Sequence, residues 1–105
     1  MGLKIYQDAI QLIRELQKVI VEIARHDADL GKQMKRAMTS IALNIAEGEN
    51  RRDGHGRARF ATAMGSANEV RACLEVGEAL GCIDAHESER DQLDRIARTL
   101  FKLTR

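Results

Sequence analysis

The chain has 105 residues, of which 44% are hydrophobic and 31% are charged, with no proline, one tyrosine and two phenylalanines. That length fits one domain, and the composition excludes a disordered or a membrane-spanning chain. The scarcity of aromatic residues and of turn-forming proline argues against an all-β domain. We therefore expect a single all-α domain over residues 1–105. Because such a domain has few loops, we expect it not to be an enzyme.

The overall charge and the cysteines restrict the function further. Seventeen Lys and Arg residues against sixteen Asp and Glu residues give a net charge of +1, which alone predicts neither nucleic acid nor lipid as a ligand. The chain starts without the apolar core of a signal peptide, so we expect a cytoplasmic protein that does not contact a membrane. Cys73 and Cys82 lie about 13 Å apart if helical, too far for a disulfide. We expect two buried free thiols and no zinc site.

The first predicted helix, from about Leu3 to His26, has two apolar surfaces. An unbroken 4-3-4-3-4 spacing predicts that one seam faces the core, and this seam consists of Ile5, Ala9, Leu12, Leu16, Val19 and Ile23. One flank of the seam carries further apolar residues, namely Tyr6, Ile10, Ile13, Ile20 and Val21. The apolar arc then spans roughly 200°, where the surface helix of a monomer needs about 100°. The excess predicts a contact with a second subunit.

The second predicted helix runs from about Leu30 to Glu47. Asp27 and Asp29 are candidate N-caps, and Gly48 is expected to end the helix. The following residues 49–56 are polar and include two glycines, which predicts a flexible loop at mid-chain.

The third predicted helix runs from about Arg57 to Leu80 and ends at Gly81. Its inner face is formed by Phe60, Ala63, Ala67, Val70 and Leu74. Gly65 and Gly77 within it lower its helix propensity, and we expect them to allow another backbone to come close.

The fourth predicted helix begins after Asp84, with Glu87 completing a variant of the capping box. Its inner face is formed by Leu93, Ile96, Leu100 and Leu103. Acidic residues precede four basic ones along its outer face, and the helix dipole with pairs such as Asp94 and Arg98 explains that order. Four helices with short connections predict an antiparallel up-down-up-down four-helix bundle.

Basic residues are concentrated between residues 31 and 60, where seven of them accompany three acidic residues. We take all seven as candidate phosphate-binding residues: Lys32, Lys35, Arg36, Arg51, Arg52, Arg57 and Arg59. The first three belong to the start of helix 2 and the others lie near the loop, which predicts two patches at opposite ends of the bundle. Repetition in a symmetric oligomer would strengthen each patch. Because Phe60 is predicted to be buried, we expect contacts to the nucleic-acid backbone with little sequence specificity.

Three polar residues, Ser40, Asn44 and Glu47, share one edge of helix 2. One interpretation is a small-molecule or metal site, and the other is an internal hydrogen-bond network that reaches Glu69 on helix 3. We favour the network. The segment that begins at His86 lacks the second histidine of a zinc-protease motif. We assign no catalytic residue, cofactor or metal ligand.

Some apolar residues remain after each helix has turned its seam inward. They predict a homo-oligomer whose interface includes Tyr6, Ile10, Ile13, Val21, Leu43 and Phe101. Residues 61–94 carry eight acidic residues against two basic ones. An acidic surface of that kind keeps a second hypothesis open, a protein-binding scaffold oligomer with no nucleic-acid role.

Residues 40–48, with the sequence SIALNIAEG, resemble the S-I-x-x-N-I-A-E-G signature of the 23S rRNA intervening-sequence proteins, small bacterial four-helix bundles. Arg51 and Arg52, Gly65 and Ser66 with Glu69, and residues 79–81 are similar to that family's third-helix pattern. The resemblance implies an antiparallel bundle that assembles as a ring-like homopentamer. A related group, the accessory variability protein of diversity-generating retroelements, implies RNA or DNA and a reverse transcriptase as partners.

Overall fold

The computed structural model describes residues 4–51 and 53–105, and in this part of the chain it contains four α-helices and no strand. The helices are α1 (Lys4–His26), α2 (Ala28–Asn50), α3 (Gly54–Ala79) and α4 (Glu87–Leu103). Each helix packs against the next one in sequence, and α4 also contacts α1. The molecule measures 42 × 23 × 20 Å. The all-α prediction is confirmed.

The predicted seam of α1 is buried along its whole length, because the 4-3 spacing keeps one stripe of the helix turned to the core. The residues of the flank differ in how far they are buried. Tyr6, Ile13 and Ile20 are partly buried against the protomer's own core, whereas Val21 is 53% exposed. Part of the apolar excess on α1 is therefore used within the protomer.

The most extensive contact between two helices joins α2 and α3. Gly48 allows these two helices to approach each other closely. The prediction that Gly48 ends α2 is wrong, since the helix continues to Asn50. A Cβ at Gly48 would lie 2.6 Å from Cε1 of Phe60, so the missing side chain makes room for that ring. Gly48 is a packing residue inside the helix.

The two ends of α2 differ in how well the sequence predicts them. Asp27 is the N-cap as expected, and its carboxylate accepts a hydrogen bond of 3.0 Å from the backbone N–H of Leu30. At the other end, the predicted long flexible loop is absent, because α3 already begins at Gly54. The described part of the connection consists of Arg51 and Asp53.

Gly81 ends α3 as predicted, with a φ of +78° that favours glycine. The N–H of Cys82 donates to the carbonyl of Gly77, and the N–H of Gly81 donates to that of Glu78, which makes a Schellman motif. The predicted capping box at Asp84 is wrong, because α4 begins only at Glu87 and His86 is its N-cap.

The start of α4 is shifted because the preceding residues pack inward. Cys82 is buried and Ile83 packs against the core, and residues 84–86 precede the first turn of α4. The predicted inner face of α4 is confirmed: Leu93, Ile96 and Leu100 are buried, and Leu103 packs partly against the core. Cys73 and Cys82 are buried free thiols, as expected. No helix in the described residues is long and apolar enough to cross a membrane.

Candidate nucleic-acid interface

The connection between α2 and α3 is ordered by the side chain of Asp53, the N-cap of α3. Its Oδ1 accepts hydrogen bonds from the backbone N–H groups of His55 (3.0 Å) and Gly56 (3.1 Å). Its Oδ2 lies 3.1 Å from Nη2 of Arg51. The Gly56 hydrogen bond, followed by the contact with Arg51, lowers the pKa of Asp53 from 3.8 to about 2. Asp53 thus joins the cap of α3 to the first basic residue of the connection.

Gly56 fixes the path of the backbone across this connection. A Cβ at Gly56 would lie 1.3 Å from the carbonyl oxygen of Arg51 and 3.1 Å from that of Gly48. The chain therefore passes directly over Gly56, where only glycine leaves enough space. Because this path decides where Arg51 lies, the glycine indirectly positions one of the candidate phosphate-binding residues.

Three candidate residues at the start of α2 are exposed and line a groove along that helix: Lys32, Lys35 and Arg36. The groove has a volume of about 550 Å³, and Arg59 of α3 also lines it. A neighbouring hollow of about 530 Å³ contains Arg51 and shares Glu47 and Arg59 with the groove. Arg59 therefore lines the same groove as the three cations at the start of α2, and Arg51 lies in the adjoining hollow. Arg57 lines neither of these two hollows.

Pairing with acidic groups distinguishes the seven candidates. Nε of Arg59 lies 2.9 Å from Oε2 of Glu47, and Arg51 is held by Asp53. The other described candidates, Lys32, Lys35, Arg36 and Arg57, form no ion pair with any described residue. Arg52 lies outside the described residues. The unpaired cations are the ones that can bind an anion without first giving up a partner.

A hydrogen-bond network forms where α2 faces α3, at Ser40, Asn44 and Ser66. The hydroxyl of Ser66 donates to Oγ of Ser40 over 2.7 Å. Nδ2 of Asn44 donates to Oγ and to the backbone carbonyl of Ser40, over 3.0 and 2.9 Å. Glu47 instead contacts Arg59, and Glu69 lies exposed on α3. The network therefore contains Ser66, which sequence reasoning did not include, and two of the four predicted members.

The predicted interface residues fall into two groups. Tyr6, Ile10 and Ile13 are half-buried on α1. Val21, Leu43 and Phe101 are exposed in the protomer, and Leu43 and Phe101 expose 58% and 50% of their surface. Sequence reasoning missed two further exposed apolar residues near the end of α3, Val76 and Leu80. Their position away from the Phe60–Leu74 seam was the signal that could have found them.

Three of the eight acidic residues between residues 61 and 94 contact the two arginines of that segment. Arg71 lies 2.7 Å from Asp94 and also near Glu75. Arg90 lies 3.7–3.9 Å from carboxylate oxygens of Glu75 and Glu78. These contacts tie α3 to α4, so the acidic residues serve the fold and present less free negative charge than their number suggests.

The described residues show little that could carry out metal or thiol chemistry. Across residues 4–51 and 53–105, no three His, Cys, Asp or Glu side chains lie close enough together to hold a metal ion. Burial, together with the charge of Glu69, raises the pKa of the Cys73 thiol, which disfavours the reactive thiolate.

The chain matches a known protein family. The family model described as 23S rRNA-intervening sequence protein matches residues 1–102. No curated protein and no solved structure matches the chain. Because the family model covers nearly the whole sequence, the chain belongs to the 23S rRNA-intervening sequence protein family.

Proposed function

We propose that this member of the family is a non-enzymatic accessory protein that binds the phosphate backbone of nucleic acid. The observation that carries the proposal is the groove along α2, where Lys32, Lys35 and Arg36 are exposed and form no ion pair with any described residue. Counterions released from phosphates by such side chains supply most of the affinity of nonspecific nucleic-acid binding.

The lining of the groove favours backbone contacts over base recognition. No aromatic residue is among the residues that line it. Leu43 offers an apolar contact in its middle, and the ion pair of Glu47 with Arg59 lies at its end. Such a surface follows a charged backbone and has few groups that distinguish one base from another.

We further propose that the four helices form an up-down-up-down bundle and that the bundles assemble as a ring-like homopentamer in the cytoplasm. Family membership supports this assembly, as does the exposed side chain of Val21. The outer face of α3 supports it too, since exposed small or aliphatic residues lie there within about 60° of arc: Ala58, Ala61, Gly65, Ala72, Val76 and Ala79.

Gly65 is the most informative residue of that face. Apart from the adjoining backbone of its own helix, no described part of the protomer would lie within 4 Å of a Cβ at Gly65. A glycine inside a helix costs about 1 kcal/mol relative to alanine, and nothing in the protomer compensates for this cost. A neighbouring subunit that packs closely against α3 would explain why the residue is small.

The nucleic-acid proposal is tested by salt-dependent binding of labelled RNA and DNA oligonucleotides to the full chain, measured by fluorescence anisotropy. We expect the double variant Lys35→Gln/Arg36→Gln to lower the log–log salt slope by about 1.4–1.8. The matched control Arg14→Gln/Lys18→Gln removes the same charge from exposed positions of α1, and we expect a smaller change.

Two results would contradict the proposal. One is the absence of binding by the wild-type protein at about 50 mM salt, where electrostatic binding is strong. The other is an equal effect of both double variants, which would show that the groove has no special role. The first result would leave the protein-binding scaffold as the better hypothesis, whereas the second would leave nucleic-acid binding in place and remove the α2 groove as its site.

A further inference from the structure

A second cationic groove lies between α1 and α4 and uses none of the residues assigned above. Its volume is about 370 Å³. Its charged lining residues are Lys4 and Asp8 of α1 and Arg95, Arg98 and Lys102 of α4. Four cations therefore surround a single carboxylate, which makes the groove strongly positive.

The cations of α4 are not neutralised by the acidic residues that precede them on the helix. Asp94, which the sequence pairs with Arg98, contacts Arg71 of α3 over 2.7 Å instead. Arg95, Arg98 and Lys102 form no ion pair with any described residue. Their charges remain available to an anionic ligand.

An exposed aromatic ring accompanies these cations. Phe101 does not line the groove itself, but it exposes half of its surface and follows Arg98 by three residues, which makes the two side chains neighbours on the helix. Cζ of Arg105 lies 5.1 Å from the centre of the Phe101 ring, a cation–π contact. Proteins that bind single strands combine these same elements, a positive groove for the backbone and an aromatic ring on which bases stack.

We propose that this surface binds single-stranded nucleic acid, and we call it the α4 strand site (Lys4, Arg95, Arg98, Phe101 and Lys102). Its cations bind phosphates, and Phe101 stacks on a base. The three α4 cations follow each other along the helix axis at about 4.5 and 6 Å, which suits phosphates of one strand. In a duplex the base faces are covered by neighbouring bases, so the ring has nothing to stack on.

This inference rests on the proposed nucleic-acid function and adds the strand type and a second binding surface. It also gives Phe101 a role other than the subunit contact that the sequence predicts. The two roles have different consequences: a stacking ring affects the binding of bases, whereas a contact residue affects the size of the assembly.

The test compares the full chain and its variants on labelled single-stranded RNA and DNA, on an abasic phosphodiester strand of equal length, and on a duplex. We expect Phe101→Ala to weaken binding of the base-bearing single strands by about 5- to 150-fold and to affect the abasic strand and the duplex much less. We expect Phe101→Trp, which keeps a stacking face, to bind like the wild type.

The backbone contacts are tested by a second variant. We expect Arg98→Gln/Lys102→Gln to lower the salt slope by about 1.4 for both the base-bearing and the abasic single strand. Arg14→Gln/Lys18→Gln removes equal charge elsewhere and serves again as the control.

Each contrary result has a distinct meaning. The α4 strand site is refuted if Phe101→Ala binds single strands like the wild type, or if light scattering shows that this variant has a smaller assembly. If Lys35→Gln/Arg36→Gln weakens binding while the α4 variants do not, the nucleic-acid function stands and the α4 strand site falls. If the wild type binds none of the probes, both proposals are wrong.

Discussion

Replacing Gly56 by alanine tests whether the connection between α2 and α3 is as tightly packed as the structure shows. The added Cβ would lie 1.3 Å from the carbonyl oxygen and 2.5 Å from the carbonyl carbon of Arg51. Both are backbone atoms, so no side-chain rotation can relieve the overlap. Gly56 does not have a positive φ, so alanine fits its backbone conformation and the conflict is one of space alone.

The cost of this substitution follows from what must move. The Arg51 backbone and the first turn of α3 have to separate, which disturbs both hydrogen bonds that Asp53 accepts. Loss of an N-cap costs about 0.5–2 kcal/mol, and forcing extra volume into a packed site costs about 1–3 kcal/mol. We therefore expect Gly56→Ala to lower the free energy of unfolding by about 2–4 kcal/mol, a decrease in Tm of roughly 10 °C or more at this size.

The assay is thermal and urea unfolding followed by far-UV circular dichroism, at one fixed protein concentration. The matched control is Gly54→Ala, in the same turn of α3, because a Cβ there would meet only the flexible side chain of Arg57, whose Nη2 lies 3.6 Å away. We expect this control to remain close to the wild type in stability or to exceed it slightly. If Gly56→Ala unfolds within about 2 °C of the control, the described path of the connection is wrong.

Two further predictions concern single residues of α3 and its cap. Asp53 has a pKa of about 2 when folded and an ordinary value of 3.8, so its stabilising effect is present above pH about 4 and is lost as the pH falls through 2. In unfolding experiments from pH 5 to pH 2, the stability difference between wild type and Asp53→Asn should shrink, whereas a constant difference contradicts the shift. Gly65→Ala should raise the stability of the dissociated protomer by about 1 kcal/mol and weaken self-association by light scattering, since its methyl group would enter the proposed contact. An unchanged assembly would remove α3 from the interface.

The sequence predicts the core of this protein well because helix periodicity is a property of one segment at a time. The seams of α1 and α3 are buried where the spacing places them. Asp27 and Gly81 are also predictable from the local sequence. An N-cap bonds to the first turn of its own helix, and a positive φ is a property of the glycine itself. None of these features depends on how the helices are placed relative to one another.

The glycines in and around the α2–α3 connection could not be interpreted from the sequence in the same way. A glycine after an apolar helical segment usually indicates the end of the helix. Gly48 instead lies inside α2, where its missing side chain makes room for the ring of Phe60. Gly56 indicates a flexible loop, yet it is helical and buried under Arg51. Both residues allow a close approach across the α2–α3 connection, and helix periodicity within one segment does not reveal that contact.

The arrangement of charges shows why a net charge of +1 is compatible with binding a polyanion. At physiological salt, charges more than about 8 Å apart are largely screened from one another, so a bound phosphate responds mainly to its nearest neighbours. Many acidic residues lie where Arg71 and Arg90 tie α3 to α4, and Arg51 and Arg59 have acidic partners of their own. The cations at the start of α2 and the end of α4 have none among the described residues. The charge that each groove can offer to a phosphate is therefore that of its cations without an acidic partner among the described residues, and pairing across helices sets it.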